Sequence, residues 1–236
     1  MSGDSMAILI TYPEDKFSEE MLAGLDKRRP LFLPLKRIEY LDFNQAIYQK
    51  VADADCLVVT SMLAIQALVK SDISTNKRIA VISPKAASLL RSFKFTNLIV
   101  SKIENRQSLV EQLNQIFTAD QKVVFLKGNL ASDLPLNAQV DNITVYKNVW
   151  TGTDRDEAIR KMAGLDFTKV LVTSPSAFYR LEEIMEIIPS QFMTTKYYTL
   201  GHTTQRIMTE LGFDTYAPVH ARNVLKQVIL KMTREQ

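Results

Sequence analysis

The sequence predicts an α/β protein made of two similar units, each with its own parallel sheet, and three observations carry that prediction. Short β-branched runs alternate with segments of helical period, the pattern of parallel strands covered by helices. Three consecutive strand–helix segments of the first half recur in the same order in the second. Two extended runs stand where the chain would cross from one unit to the other, each passed once, so that one unit takes both termini. The expected boundaries are 1–34 with 151–236 for the first unit, 39–142 for the second, and 35–38 and 143–150 for the crossings.

Taken in order, Ile8 to Thr11 is the first strand, and Lys27-Arg28-Arg29 closes the helix after it as a partner for that helix's negative end. The run 30–41 carries Pro30 and Pro34 and is extended and amphipathic. Phe43, Ile47 and Val51 then recur at i, i+4 and i+8 behind Asp42 as N-cap, with Gln45 three residues on completing a capping box. Cys56 to Val59, Ile79 to Ile82, Leu98 to Val100 and Val123 to Leu126 are strands, each an unbroken apolar run of the kind that is buried on both faces. After Asp141-Asn142 comes the second extended run, NITVYKNVW. Val170 to Thr173 precedes Ser174 and Pro175, an N-cap and N1 pair, and a helix with Phe178, Leu181, Met185 and Ile188 on one face. Tyr197 to Leu200 is the last clear strand, and Val224, Val228 and Met232, flanked by Leu225 and Ile229, give the final helix one apolar face.

The repeat is specific. DADCLVVTSMLAIQAL resembles DFTKVLVTSPSAFYRL and places Thr60-Ser61 against Thr173-Ser174 at an offset of 113. KRIAVISPKAASLLRSFKF aligns with KYYTLGHTTQRIMTELGFDTY and places Ser83-Pro84 against Gly201-His202 at an offset of 118. NLIVSKIENRQSLVEQL then parallels TYAPVHARNVLKQVIL.

Composition removes several function classes. The 236 residues, 46% hydrophobic and 23% charged, are those of an ordinary globular chain. A formal charge of +3 is too small for binding that rests on neutralising nucleic-acid phosphates. One cysteine, Cys56, allows no internal disulfide, and with two histidines, His202 and His220, it builds no Cys/His zinc centre. Asp4 and a five-residue apolar run at the start fit neither an export signal nor a transit peptide, so a cytoplasmic protein without a membrane span is expected. The closest pair among seven glycines, Gly201 and Gly212, is eleven apart; no dinucleotide fingerprint, P-loop or nucleophile elbow can be written.

What recurs is a hydroxyl at a strand's carboxyl end, directly before a helix: Thr60-Ser61, Ser83, Thr173-Ser174 with Ser176, and Thr203-Thr204. The plain role for each is N-capping. The same geometry makes an anion site, because free N–H groups and the positive end of the helix dipole point outward above parallel strands. Four such starts, two per half, would face one cleft if the halves are opposed, an arrangement suited to a polyanionic small molecule. Lys85, Lys127, Lys147, Arg222, Lys36 and Arg37 are the nearby cations, each of which also reads as solvated surface. Cys56 reads as core packing. Tyr146, in the second crossing, reads either as packing or as a phenol able to donate a proton.

The residues then resemble the uroporphyrinogen-III synthase family over nearly the whole chain. Ile8-Leu9-Ile10-Thr11-Tyr12-Pro13 is similar to the family's opening strand and T-R-P turn, and Val58-Val59-Thr60-Ser61 to its F-T-S strand end. Leu126-Lys127-Gly128-Asn129 is similar to L-R-G-N, and Thr144 to Val149 to the T-V-Y-x-x-V crossing. Thr173-Ser174-Pro175-Ser176 is similar to the S-P-S turn, and Leu200-Gly201-His202-Thr203-Thr204 to I-G-x-T-T, with Gly212 ending the next helix.

The resemblance implies two flavodoxin-like domains joined by a pair of extended strands. It further implies a monomeric enzyme without metal or organic cofactor. Its substrate is hydroxymethylbilane, a linear tetrapyrrole with eight carboxylates, which it closes with inversion of the last ring and loss of water. Tyr146 takes the place of the family tyrosine that helps the hydroxyl leave. Thr11, Thr60, Ser61, Ser83, Lys127, Gly128, Ser174, Ser176, Gly201, Thr203 and Thr204 take the places that hold the substrate's carboxylates. Four departures stand against the pattern: Tyr12 for an arginine, Ser83 for a glycine, Ala86 for a threonine and Lys127 for an arginine. Two rivals remain at this stage: a relative that binds anionic tetrapyrroles without turning them over, and a two-domain sugar or amino-acid binder.

Overall fold

A computed structural model describes residues 6–26, 28–219 and 223–235; Asp4, Lys27, His220 and Arg222, named above, lie outside these. The architecture is α/β. The strands are β1 (Met6–Ile10), β2 (Pro30–Phe32), β3 (Arg37–Tyr40), β4 (Cys56–Val59), β5 (Ile79–Val81), β6 (Leu98–Val100), β7 (Lys122–Gly128), β8 (Gln139–Val149), β9 (Asp166–Val172), β10 (Lys196–Thr199) and β11 (Thr215–Tyr216). The helices are α1 (Glu19–Asp26), α2 (Gln45–Asp53), α3 (Met62–Val69), α4 (Pro84–Ser92), α5 (Arg106–Ile116), α6 (Gly152–Met162), α7 (Pro175–Ile187), α8 (His202–Glu210) and α9 (Val224–Arg234).

Two compact units result. One comprises the described residues of Met1–Arg37 and Trp150–Gln236, the other Ile38–Val149. The first holds a five-stranded sheet, β11-β10-β9-β1-β2, whose pairings are all parallel. The second sheet runs β3-β8-β7-β4-β5-β6, with parallel pairing from β8 to β6. Each sheet lays out its repeated strands in the same sequence, β9-β10-β11 or β4-β5-β6, beside one further strand, β1 or β7. The two runs read as crossings are partly sheet: β3 and β8 are hydrogen-bonded neighbours, with the Leu41 N–H donating to the Val145 carbonyl at 3.0 Å. Pro34 falls in the gap between β2 and β3, where no ladder N–H is required.

Strand side chains alternate between two buried layers. In β4, Leu57 and Val59 join α2, α3 and α4 through Val51, Ile65 and Leu90, while Cys56 and Val58 face α5 through Leu109 and Leu113. In β9, Val170 and Val172 pack on α6, α7 and α8, and Leu171 meets α1 and α9 through Leu25 and Val228. Each fully buried Leu or Val stabilises the fold by about 1.5–3 kcal/mol. Because both faces are covered there, β4 and β5 have no polar side, which is why they read as continuous apolar runs.

Two details of the sequence reading are corrected. The N-cap of α2 is Asn44, not Asp42: its side chain accepts the Ile47 N–H at 3.0 Å. Gln45 is therefore the first helical residue and forms no capping box. The shift puts Phe43 before the cap and Tyr48 in the first turn, where their rings meet at 5.8 Å as a hydrophobic staple. The Arg28 side chain is not the partner of the α1 end either. Its N–H closes the turn after α1 on the Leu25 carbonyl at 2.8 Å, but its guanidinium donates to the Thr233 and Glu235 carbonyls and satisfies the end of α9. Lys169, only 4% exposed, donates there too, to the Met232 carbonyl at 2.7 Å and to that of Glu235. Burial lowers its pKa, and the Arg28 charge adds to the effect.

Candidate active site

In parallel α/β sheets the chemistry sits at the carboxyl ends of strands, where the chain turns into helices. In the second unit β4 is followed by Thr60, half-buried, and Ser61 is extended and caps α3, its Oγ accepting the Ala64 N–H at 3.1 Å. After β5, Ser83 caps α4 in the same way, accepting the Ala86 N–H at 3.2 Å. Pro84 follows at the first helical position and has no N–H to offer. The small, buried Ala86 thus supplies the capped donor.

Beside them β7 ends in Lys127-Gly128. The ladder with β8 slips here, pairing Lys127 with Thr144 but Gly128 with Tyr146. A bulge of this kind re-aims the side chain that follows it. The Tyr146 ring lies directly over Gly128: a Cβ on that residue would come within 2.4–2.6 Å of its Cζ, Cε2 and Oη. Asn129 donates its N–H to the Tyr146 carbonyl at 3.2 Å, and its Oδ1 accepts the Asn148 N–H at 2.8 Å. Tyr146 is half-buried, and among the described residues its phenol oxygen has no hydrogen-bond partner. A second phenol stands near it. Tyr40 of β3 donates to Gln66 and lies under the Lys70 ammonium, 4.9 Å from the ring centroid. Burial raises the Tyr40 pKa, and the neighbouring Tyr146 phenol raises it further.

Lys127 is already engaged. Its ammonium pairs with the Asp133 carboxylate at 2.6 Å, in a loop that Arg106 holds through the Ser132 carbonyl at 2.8 Å. Lys85 and Lys147 are exposed.

The first unit repeats the plan with changes. Thr11 is 2% exposed, and its hydroxyl accepts the Thr173 N–H at 3.1 Å while the Thr173 hydroxyl donates to the Thr11 carbonyl at 2.9 Å. These bonds staple the ends of β1 and β9. Ser174 caps α7 by accepting the Ala177 N–H at 3.2 Å, and the Ser176 hydroxyl lies 3.2 Å from that of Ser174. Gly201 opens α8 without any side-chain cap. His202, Thr203 and Thr204 are therefore the first three helical residues. This corrects the expectation that the threonines precede the helix. Thr203 is exposed and Thr204 buried, and a hollow of about 610 Å³ runs along His202, Thr203, Gln205, Arg206, Thr209 and Glu210. Of the flanking cations, Lys36 is exposed, and Arg37 pairs with Asp154 at 3.2 Å.

The family model of uroporphyrinogen-III synthase HemD matches residues 21–223. The chain belongs to the uroporphyrinogen-III synthase family. It is an enzyme of tetrapyrrole biosynthesis, and the family implies a linear tetrapyrrole as substrate. The solved uroporphyrinogen-III synthetase of Helicobacter pylori is similar in fold, with a TM-score of 0.63 at 13% identity over 96% of this chain and 97% of that one. A mutant uroporphyrinogen III synthase of Thermus thermophilus gives 0.60 at 14% identity over 98% and 100%. No curated protein matches the chain.

Within this synthase the residues that carried the resemblance fall into two groups. The side chains of Ser61, Ser83, Ser174, Thr11 and Lys127 are each held by a partner in their own unit. Among the described residues those of Tyr146 and Thr203 have no such partner, and Gly201 has no side chain to engage. Three roles gave no signal in the sequence. Tyr40 stands beside Tyr146 only because β3 pairs with β8. Asn129 was matched as the end of L-R-G-N, but its support of the backbone after Tyr146 through its own N–H and Oδ1 is not announced by that motif. Arg180, 7% exposed, donates to the Leu35 carbonyl at 2.6 Å and stacks over Trp150 at 5.5 Å, fastening both chain segments that leave the first unit. Among the described residues no His, Cys, Asp and Glu cluster is arranged to hold a metal, and no helix is long and apolar enough to cross a membrane.

Proposed function

We propose that this synthase closes hydroxymethylbilane to uroporphyrinogen III, with inversion of the last ring and loss of water, as a cofactor-free cytoplasmic monomer of two flavodoxin-like domains joined by extended strands. The strand order β2-β1-β9-β10-β11, sequential rank 2-1-3-4-5 in that sheet, supports the flavodoxin-like reading of the first unit. The reaction needs little covalent help, because the bilane closes unaided to the type I isomer. The protein's task is to hold one trajectory.

Tyr146 carries the proposal: its phenol is half-buried, seated by the bulge and without a hydrogen-bond partner among the described residues, so its proton is available to a ligand. In the proposed sequence the phenol protonates the departing hydroxyl, water leaves, and an electrophilic azafulvenium cation remains. The substituted α-carbon of the last pyrrole attacks it and becomes a spiro centre, and the older bond from that carbon to its bridging methylene then breaks, leaving a second azafulvenium on the neighbouring ring. The free α-carbon of the last pyrrole bonds to that methylene, which inverts the ring, and the proton it loses on regaining aromaticity returns to the phenolate. The carboxylates are proposed to sit on helix openings, with Gly201, Thr203 and Thr204 the strongest anchor, because no side chain caps α8. Ser61, Ser83, Ser174 and Ser176 act through the donors their caps leave over, and Thr60 lies beside them. Thr11 contributes by holding the β1 and β9 ends in register.

Feeding fresh hydroxymethylbilane and separating the isomers tests this. Type III is expected from the wild type; Tyr146→Phe should lower kcat by about 100-fold, the range of one general acid, with its melting temperature nearly unchanged. Type I alone, at the uncatalysed rate, would support the second reading, a non-catalytic binder of anionic tetrapyrroles. Two observations favour that rival. The Tyr12 ring packs 6.2 Å from Phe17 and brings no guanidinium, and Ser83 caps an opening that is glycine in the family pattern.

A further inference from the structure

We infer that Gly128 and Asn129 are positioning residues for the Tyr146 phenol rather than substrate contacts, an inference that rests on the reading of Tyr146 as the proton donor. Glycine inside a strand weakens it and marks either a bulge or a close approach; here both meet. The ladder slips between Lys127 and Gly128, and the vacant Cβ position of Gly128 is filled by the Tyr146 ring, whose Cζ, Cε2 and Oη would all stand within 2.4–2.6 Å of that carbon. The three nearest atoms are all on the phenol end of the ring. Any larger residue at 128 therefore displaces the reactive oxygen itself. The backbone conformation does not demand glycine, because the strong positive φ values of the described glycines are confined to Gly164 and Gly212. The requirement is steric.

Asn129 fixes the other side of the seat. Its N–H donates to the Tyr146 carbonyl at 3.2 Å and its Oδ1 accepts the Asn148 N–H at 2.8 Å, so one residue holds at two points the backbone that leaves Tyr146 after the bulge. Gly128 is buried under the ring, which leaves it no open face toward a ligand.

The test is a kinetic cycle with isomer analysis on the full chain. Gly128→Ala is expected to lower kcat by about 100-fold, the cost of a misplacement near 1 Å, with KM changed less than about 2-fold, and to cost nothing further in a Tyr146→Phe background. Asn129→Ala removes one exposed hydrogen bond and guards against misfolding of the first variant; it is expected to lower kcat by about 5-fold, again with KM held and again without effect once the phenol is gone. A raised KM with kcat intact in either variant, or losses that add to that of Tyr146→Phe, overturns the inference. Full kcat in Tyr146→Phe overturns instead the reading beneath it, and that result is visible in the single variant alone.

Discussion

Ser83 and Gly201 stand at matching places in the duplicated sequence, yet they prepare the following helix in opposite ways. Ser83 seals α4: its hydroxyl takes the Ala86 N–H, and Pro84 removes another donor. Gly201 leaves α8 without a side-chain cap, and an open hollow is lined by His202 and Thr203 of its first turn. The difference teaches that a strand-end hydroxyl and a strand-end glycine are not equivalent anion sites. A serine commits one donor to its own helix and gains stability, whereas glycine forgoes that stability and leaves the positive end of the helix to whatever binds.

Breaking the contrast at α8 should have the largest effect. Gly201 has extended backbone, φ −164°, and nothing lies within 4 Å of an added Cβ, so a side chain enters without strain. Gly201→Asp places a carboxylate over the donors that the account reserves for substrate, and KM should rise at least about 10-fold, the cost of losing one charge-assisted bond, while thermal unfolding shows a gain of about 0.3–1 kcal/mol from the dipole. Thr11→Val keeps the shape of a buried residue but removes the acceptor of the Thr173 N–H, so stability should fall by about 1–3 kcal/mol; a fall in substrate affinity at full stability would instead make Thr11 a contact. Ser174→Ala should cost about 1 kcal/mol through the lost cap of α7. Smallest is Ser83→Gly, which should cost roughly 0.3 kcal/mol and, by reopening α4, lower KM rather than raise it.

The strands were legible because both faces of each sheet are covered: CLVV and IAV have no polar positions to obscure them. The serine-capped starts of α3, α4 and α7 were legible because a cap is a local pattern, read from one residue and the run behind it. The α2 start was misplaced because Asp42 and Asn44 both suit the role, and only the packing of Phe43 on Tyr48 chooses between them. Thr203 and Thr204 were set ahead of α8 rather than inside its first turn for the opposite reason, since a glycine cap leaves no side-chain signal. Arg180 and Lys169 could not be read at all. Their partners are backbone carbonyls 145 and 63 residues away, and nothing local distinguishes them from surface cations. Gly128 was legible as a motif but not as a seat, because the residue that fills its vacant side lies in another strand.

Backbone amide shifts during titration with uroporphyrinogen III, kept reduced, measure the central contrast directly. The N–H signals of His202, Thr203 and Thr204 are expected to move first and furthest, while those of Ala64, Ala86 and Ala177, held by their serines, stay nearly still. Movement of the serine-held amides with the α8 signals unmoved would contradict it.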